Sequence, residues 1–233
     1  MNARDEILAA IRQRRRPGAA AEIPPARRTG LTGDGDLLAR FEARARTAAA
    51  EVRVLSSAAE IPAAIADVLR ARNLAARLHV PPDPGLGERA RSDVLTLTGD
   101  PPGPDDAALA RASFAIAETG TLVYASAPAR PASWHFRAGL EIAILPRDNI
   151  LPDLESVLAQ LTEVGPLPST LNLVTGPSRT GDIEQTLELG AHGPKALVIL
   201  VVPRGEAEAQ RAHDIGHEDT KDTRSAGTVL RAQ

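Results

Sequence analysis

The stretch KALVILVV, residues 195–202, decides the class of fold. After its lysine the run is entirely apolar and has the length of a strand, which predicts a strand buried on both faces. A second stretch, LEIAILP at residues 140–146, is interpreted in the same way. Strands of this kind occur in parallel sheets whose two faces are covered by other elements.

Outward from these two strands, further strands alternate with helices at short spacing. The remaining predicted strands are 51–55, 75–80, 94–99 and 171–176, with two more meeting at a tight turn within 113–126. The predicted helices are 3–15, a helix from Asp34 through residue 49, one capped by Ser57, 151–164 with Pro152 in its first turn, and 182–190. Ser57 and Glu60 fit a capping box. The alternation predicts an α/β fold with a mainly parallel sheet.

The ends of the chain differ in composition from its middle. Residues 17–33 hold three prolines and three glycines and read as a linker behind the first helix. After Pro203 the sequence is polar and lacks a sustained apolar period. We therefore predict three parts: a helix and linker over 1–33, an α/β domain over 34–205, and a polar tail over 206–233.

Composition narrows the function classes. The net charge is −3, which argues against a nucleic-acid binder, and there are no cysteines. The chain therefore lacks the usual ligands of an iron–sulfur cluster and cannot form a disulfide. No apolar run reaches the length of a membrane span and no secretory signal is evident, so a cytoplasmic location is expected.

The segment VTGPSRTGDIEQTLELGAHGP, residues 174–194, is the first candidate binding site. A strand that ends in Gly-Pro and leads into a helix exposes backbone N–H groups, which favour an anion. Arg179 could grip a carboxylate or phosphate, with Ser178 and Thr180 supplying hydroxyls. The alternative is that Ser178 or Thr180 only caps the helix while Arg179 pairs with Asp182 or Glu184.

The second candidate is the turn AETGT, residues 117–121. Gly120 permits a positive φ, and Thr119 and Thr121 could donate hydrogen bonds to a ligand. The pattern favours an ordinary hairpin in which Glu118 faces water, and the alternative is that Glu118 is a general base. His192 reads as a helix cap or a catalytic imidazole. Trp134-His135-Phe136 is a loop anchored by a buried Trp or a ligand lid, and no metal site is predicted from His213 and His217.

Together these motifs resemble the LUD domain family, of the lactate-utilisation protein C type. The matching features are an ETGT turn at Glu118–Thr121, Arg130 ahead of a buried strand, ILPDL at 150–154, GPSRTGDIE at 176–184, and HGP at 192–194. The resemblance covers about residues 35–203. It implies a three-layer α/β/α fold similar to ribose-5-phosphate isomerase, CoA transferase and formyltetrahydrofolate cyclo-ligase domains.

The resemblance also implies a role in oxidising L-lactate to pyruvate beside iron–sulfur partner proteins, with no cofactor assigned to this chain. One position departs from the family pattern: Glu141 lies near the place where a histidine opens the buried strand, and His135 comes earlier, in the loop. A role built on that histidine is therefore in doubt.

We predict a small anion-binding pocket where the two candidate segments meet at the edge of a sheet. Glu118 is its candidate catalytic base. Its candidate binding residues are Thr119, Gly120, Thr121, Gly176, Ser178, Arg179, Thr180, Asp182 and His192. Two alternatives stay open: a non-catalytic scaffold for the iron–sulfur subunits, and a stand-alone transferase or ligase for a phosphorylated or CoA-type substrate.

Overall fold

The computed structural model describes residues 3–14, 35–165, 167–181, 187–189 and 193–203. Its helices are α1 (Ala3–Arg14), α2 (Leu37–Thr47), α3 (Ile61–Ala71), α4 (Pro84–Ala90) and α5 (Leu154–Val164). Short 3-10 helices span Ala58–Glu60, Ala132–Phe136 and Arg147–Asn149. The strands are β1 (Glu51–Val54), β2 (Arg77–His79), β3 (Thr96–Thr98), β4 (Ala107–Arg111), β5 (Phe114–Ile116), β6 (Thr121–Ala125), β7 (Leu140–Pro146), β8 (Ile150–Leu151), β9 (Leu171–Val174), β10 (Arg179–Gly181), β11 (Leu187–Leu189) and β12 (Ala196–Val202).

A six-stranded parallel sheet forms the centre of the molecule, in the order β1-β12-β7-β4-β2-β3. The two strands that decided the class lie side by side, with Ala196 opposite Leu140 and Val202 opposite Pro146. Every residue of β7 is buried, as is every residue of β12 after its first. The predicted α/β class and mainly parallel sheet are confirmed.

One face of this sheet is covered by α3 and α4. The buried side of α3 presents Ile61, Ile65, Val68 and Leu69 to the sheet. These positions recur at helical spacing, which places them on one face of the helix. Burial of this aliphatic stripe fixes the helix on the sheet.

The opposite face is covered by α2 and by a second sheet of order β8-β5-β6-β9. The predicted hairpin within 113–126 is present, because β5 and β6 pair antiparallel. Strand β9 pairs antiparallel with β6 on its other side. Helix α5 packs on the far side of this second sheet through Val157, beside Ile116 and Val123.

Three local predictions need correction. The predicted helix over 182–190 is wrong where the structure describes it, because Leu187–Leu189 is a strand paired antiparallel with Arg179–Gly181. Leu187 and Leu189 flank Glu188 with the two-residue period of a strand, and strand pairing prevailed over helix propensity. Pro152 precedes α5: Asp153 is its N-cap and accepts from the Ser156 N–H at 2.8 Å.

The third correction concerns Ser57. Its hydroxyl accepts from the Ala59 N–H and caps the 3-10 turn, while α3 begins only at Ile61. The predicted linker over 17–33 and the tail over 206–233 lie outside the described residues. None of the described helices is long and apolar enough to cross a membrane.

Candidate functional site

The two predicted binding segments do meet, at one end of the second sheet. Because β6 and β9 are antiparallel, the start of β6 lies beside the end of β9. The Thr121 hydroxyl is 2.7 Å from the hydroxyls of both Thr119 and Thr175. This chain of hydroxyls joins the two segments, whereas the Glu118 side chain is exposed.

Two glycines of these segments are explained by packing on the end of α2. Gly120 and Gly176 have φ of +71° and +73°, where a side chain is strained. A Cβ on Gly120 would lie 2.3 Å from the backbone nitrogen of Ala45, and one on Gly176 would lie 2.0 Å from the carbonyl oxygen of Ala48. Both turns therefore need glycine for close backbone contact.

The remaining predicted binding residues are distributed along the β10 region. The Ser178 N–H donates to the Pro194 carbonyl at 2.9 Å, which brings the GPSRT and HGP segments together. Arg179 is exposed at the start of β10, and the backbone of Thr180 pairs with Glu188. Asp182 and His192 lie outside the described residues. Arg179–Gly181 form a strand rather than the start of a helix.

A small cleft lies elsewhere, between β4 of the central sheet and β6 of the second sheet, under the segment 130–136. The residues that line it are Pro81, Ala110, Arg111, Tyr124, Ala125, Arg130, Pro131, Trp134 and His135. Trp134 is buried and packs against Ala108 and Ala138, which anchors the covering segment on the sheet. The predicted loop anchored by a buried Trp is therefore present, and it forms one wall of a cleft.

Two arginines reach this cleft from different elements. Arg111, the last residue of β4, pairs with Asp83 at 2.8 Å. Burial lowers the pKa of Arg130, as does the positive charge of Arg111, while Asp83 acts in the opposite direction. Both guanidinium groups are therefore close enough to the Asp83 carboxylate to interact with it.

Tyr124 and His135, which also line the cleft, belong to a buried polar cluster with Glu141. The Tyr124 hydroxyl donates to Glu141 Oε1 at 2.5 Å, and Glu141 Oε2 lies 3.4 Å from His135 Nδ1. The rings of Tyr124 and His135 stack with centroids 3.9 Å apart. Burial raises the pKa of Tyr124 well above its ordinary value, and the neighbouring Glu141 carboxylate adds to this shift. Tyr124 therefore stays protonated and remains a donor.

Glu141, which lies near the position where the family pattern has a histidine, is next to a histidine from another part of the chain, His135. Glu141 is 2% exposed at the start of β7, and His135 reaches it from the loop. A buried carboxylate is costly unless it is paired, so Glu141 within an apolar strand was a signal that a partner exists. Asp83, Arg111 and Tyr124 were missed, because nothing in the sequence relates residues 28 positions apart, as Asp83 and Arg111 are.

The fold and the cleft define an α/β protein with a partly apolar cleft between two sheets, lined by two arginines. Residues 105–202 match the family model of the LUD domain, which confirms the predicted resemblance. The matched region includes every cleft residue except Pro81. Across the described residues, no group of three or more His, Cys, Asp or Glu side chains could hold a metal ion.

Individual proteins resemble parts of the chain. Lactate utilization protein C of Geobacillus kaustophilus is 37% identical over 101 residues, which are 41% of this chain and 42% of that protein. The same-named protein of Halalkalibacterium halodurans is 33% identical over 101 residues, 42% of this chain and 44% of that one. The chain thus matches somewhat under half the length of these curated relatives.

A solved structure extends the likeness of fold. The crystal structure of a DUF162 family protein from Deinococcus radiodurans superimposes with a TM-score of 0.52 and 25% sequence identity. The superposition covers 71% of this chain and 96% of that one.

Proposed function

We propose that this protein acts in lactate utilisation and binds a small carboxylate in the cleft between β4 and β6. The observation that carries the proposal is the meeting of Arg111 and Arg130 at one end of that cleft, with Asp83 as their neighbouring carboxylate. The names of the curated relatives support the metabolic role.

The chemistry of the cleft fits a short carboxylate. A guanidinium presents parallel N–H donors that match the two oxygens of a carboxylate, and burial strengthens this pairing. Among the described residues, no side chain accepts a hydrogen bond from the Arg130 guanidinium. Ala110, Pro131 and Trp134 provide an apolar wall for a short alkyl group. Lactate and pyruvate both have this combination of groups.

The redox centres belong to partner proteins in this proposal. The chain has no cysteine, so it has no thiolate to hold an iron–sulfur cluster. Oxidising lactate to pyruvate releases two electrons and two protons, and iron–sulfur subunits of a cytoplasmic assembly would accept the electrons. The chain described here would then supply the binding cleft.

Substitution of Arg130 tests whether the cleft binds a small carboxylate. We expect Arg130→Met to weaken binding of L-lactate by roughly 10- to 100-fold, the effect of losing a hydrogen bond between charged groups. Binding is measured by isothermal titration calorimetry and by the fluorescence of Trp134, the one tryptophan of the chain and a residue of the cleft wall. Arg147→Met is the matched control, because Arg147 is exposed and does not line the cleft. Equal affinities of the two variants would contradict the assignment.

The turns at Glu118–Thr121 and Gly176–Asp182, with His192, remain a second predicted binding region. The same titration on Arg179→Ala separates the two sites. A loss of lactate affinity in Arg179→Ala with none in Arg130→Met would place the ligand at the turns. The reverse pattern is the expected one.

An anaerobic pull-down from lactate-grown source cells tests the partners, with bound proteins identified by mass spectrometry and iron assayed. Stoichiometric iron–sulfur proteins are expected, and a partner-free, iron-free chain would contradict the assembly.

A scaffold role is favoured by one feature, the exposed apolar face of α1, where Ile7 and Ile11 are 60% and 56% exposed. A pure scaffold would lose its partners on deletion of 1–33 and 206–233 and be indifferent to Arg130→Met. Nucleotides and CoA in a thermal-shift panel test the transferase or ligase alternative.

A further inference from the structure

The two ring nitrogens of His135 have different surroundings. Nδ1 is fully buried and faces Glu141 Oε2 at 3.4 Å, longer than a hydrogen bond. Nε2 has no hydrogen-bond partner among the described residues and is not one of the enclosed polar atoms, while the residue itself lines the cleft. The ring therefore faces the carboxylate on one side and the cleft on the other.

The Glu141 carboxylate is held in place from its other oxygen. Tyr124 donates to Oε1 and, because its pKa is raised, keeps doing so throughout the neutral range. Oε2 is left to face His135 Nδ1. A carboxylate in this position favours the proton on Nδ1 in the neutral ring and stabilises the imidazolium when Nε2 is protonated as well.

We propose that His135 Nε2 is the atom that contacts the 2-substituent of the bound carboxylate, so that the protonation state of His135 selects between a 2-oxo acid and a 2-hydroxy acid. This inference rests on the proposed function, because it places the carboxylate on the arginines and the neighbouring carbon toward His135. It assigns His135 as a specificity-determining residue and Glu141 and Tyr124 as positioning residues.

The selection follows from donors and acceptors. The carbonyl oxygen of a 2-oxo acid only accepts, so it pairs with the Nε2–H of the imidazolium and opposes the lone pair of the neutral ring. The hydroxyl of a 2-hydroxy acid accepts from the imidazolium or donates to the neutral ring. Deprotonation of His135 therefore weakens pyruvate binding and has much less effect on lactate.

Other charged groups near the cleft bear on the titration. The groups that approach His135 from each neighbouring element are Glu141 on β7, Tyr124 on β6, Arg111 on β4, Arg130 on the covering segment and Asp83 before α4. Glu141 is the nearest of these groups to the His135 ring, at 3.4 Å from Nδ1.

The test is a pair of calorimetric titrations of the full chain, with pyruvate and with L-lactate, from about pH 5 to about pH 9. As the pH rises and His135 loses its proton, the dissociation constant of pyruvate is expected to rise by roughly 10- to 100-fold, the effect of losing a charged hydrogen bond, and then to level off at the affinity that the arginines alone provide, while that of lactate changes much less. NMR of the His135 ring follows its protonation directly. Its signals are assigned by their loss in His135→Phe.

Two variants sharpen the result. His135→Phe removes the pH dependence of the pyruvate-to-lactate ratio and leaves Arg130 to bind both carboxylates. Glu141→Gln keeps an acceptor for Tyr124 but removes the charge that stabilises the imidazolium, so the pH at which pyruvate affinity falls moves lower. If Glu141→Gln fails to fold, the NMR titration of the wild-type protein with each ligand still shows whether pyruvate affinity follows the protonation of His135.

The outcomes separate the two proposals. Binding of both acids with a ratio independent of pH, or an unchanged pH dependence in His135→Phe, overturns the role of His135 and leaves the cleft assignment intact. If neither acid binds at any pH, the proposed function itself is wrong. A pyruvate affinity that falls with pH only in the protein carrying His135 is the expected result.

Discussion

At the residue scale, the informative feature is a carboxylate inside an otherwise apolar strand. Glu141 is 2% exposed, and its partners come from the hairpin strand β6 and from the segment 130–136. Removing one partner of a buried polar group costs the desolvation energy of the group left behind. Tyr124 therefore connects the stability of the fold to the chemistry of the cleft.

The ionisation of Tyr124 is directly measurable, because it is the one tyrosine of the chain. Its pKa is raised by burial and then by Glu141, above an ordinary value of 10.0. Since the folded pKa lies above the unfolded one, the contribution to stability is fully present below about pH 10 and is lost as pH rises through the folded pKa. The near-ultraviolet phenolate absorbance is expected to appear above that pH, or only as the protein unfolds.

The variant Tyr124→Phe supplies the baseline for this titration and a second readout. We expect it to lower the free energy of unfolding by about 1–3 kcal/mol at neutral pH, since Glu141 Oε1 loses its donor. Urea denaturation measures this change. An ordinary tyrosine titration in the folded protein, together with unchanged stability of the variant, would show that the Tyr124–Glu141 hydrogen bond does not form.

The sequence singled out some of these residues but not their contacts. Glu141, His135 and Arg130 drew attention as a departure from a family pattern, as a rare aromatic loop and as a family arginine. Their convergence depends on β4, β6 and β7 packing across two sheets, and local pattern does not encode that packing. The ETGT turn contacts Thr175, the residue before the GPSRT segment, through the Thr121 hydroxyl.

At the element scale, the two glycine turns fasten the second sheet to the end of α2. Gly120→Ala is expected to cost about 2–4 kcal/mol, because a positive φ and a backbone clash at 2.3 Å must both be accommodated. Gly99→Ala is the matched control, since nothing lies within 4 Å of its Cβ position, and it should be neutral or slightly stabilising. Thermal unfolding of the two variants measures the contrast. A similar stability of both would contradict the described packing.

The elements that could be predicted were those with a strong pattern. Strands β7 and β12 could be predicted because burial on both faces gives a continuous apolar run. Helix α3 could be predicted because burial of one face gives an apolar stripe at helical spacing. Strand β4 was missed, because AALAR is alanine-rich and short and has neither a period nor β-branched residues. The sequence predicts a helix where β11 lies, because the local pattern does not show that these three residues pair with β10.

At the scale of the whole molecule, the cleft exists because two sheets are stacked and one segment covers the gap between them. The parallel sheet contributes Arg111, the second sheet contributes Tyr124, and the covering segment contributes Arg130 and His135. In the proposed binding mode, the arginines would bind the carboxylate, the apolar wall would accept the alkyl group, and His135 would contact the adjoining oxygen. The central claim is that a small carboxylate binds at this place and in this orientation.

The most direct test is a crystal structure of the full chain grown with L-lactate and, separately, with pyruvate. We expect electron density between β4 and β6, with the ligand carboxylate on Arg130 and Arg111 and the oxygen of the second carbon toward His135 Nε2. Density at the turns around Ser178 and Arg179, or an empty cleft at ligand concentrations that saturate the calorimetric signal, would contradict it.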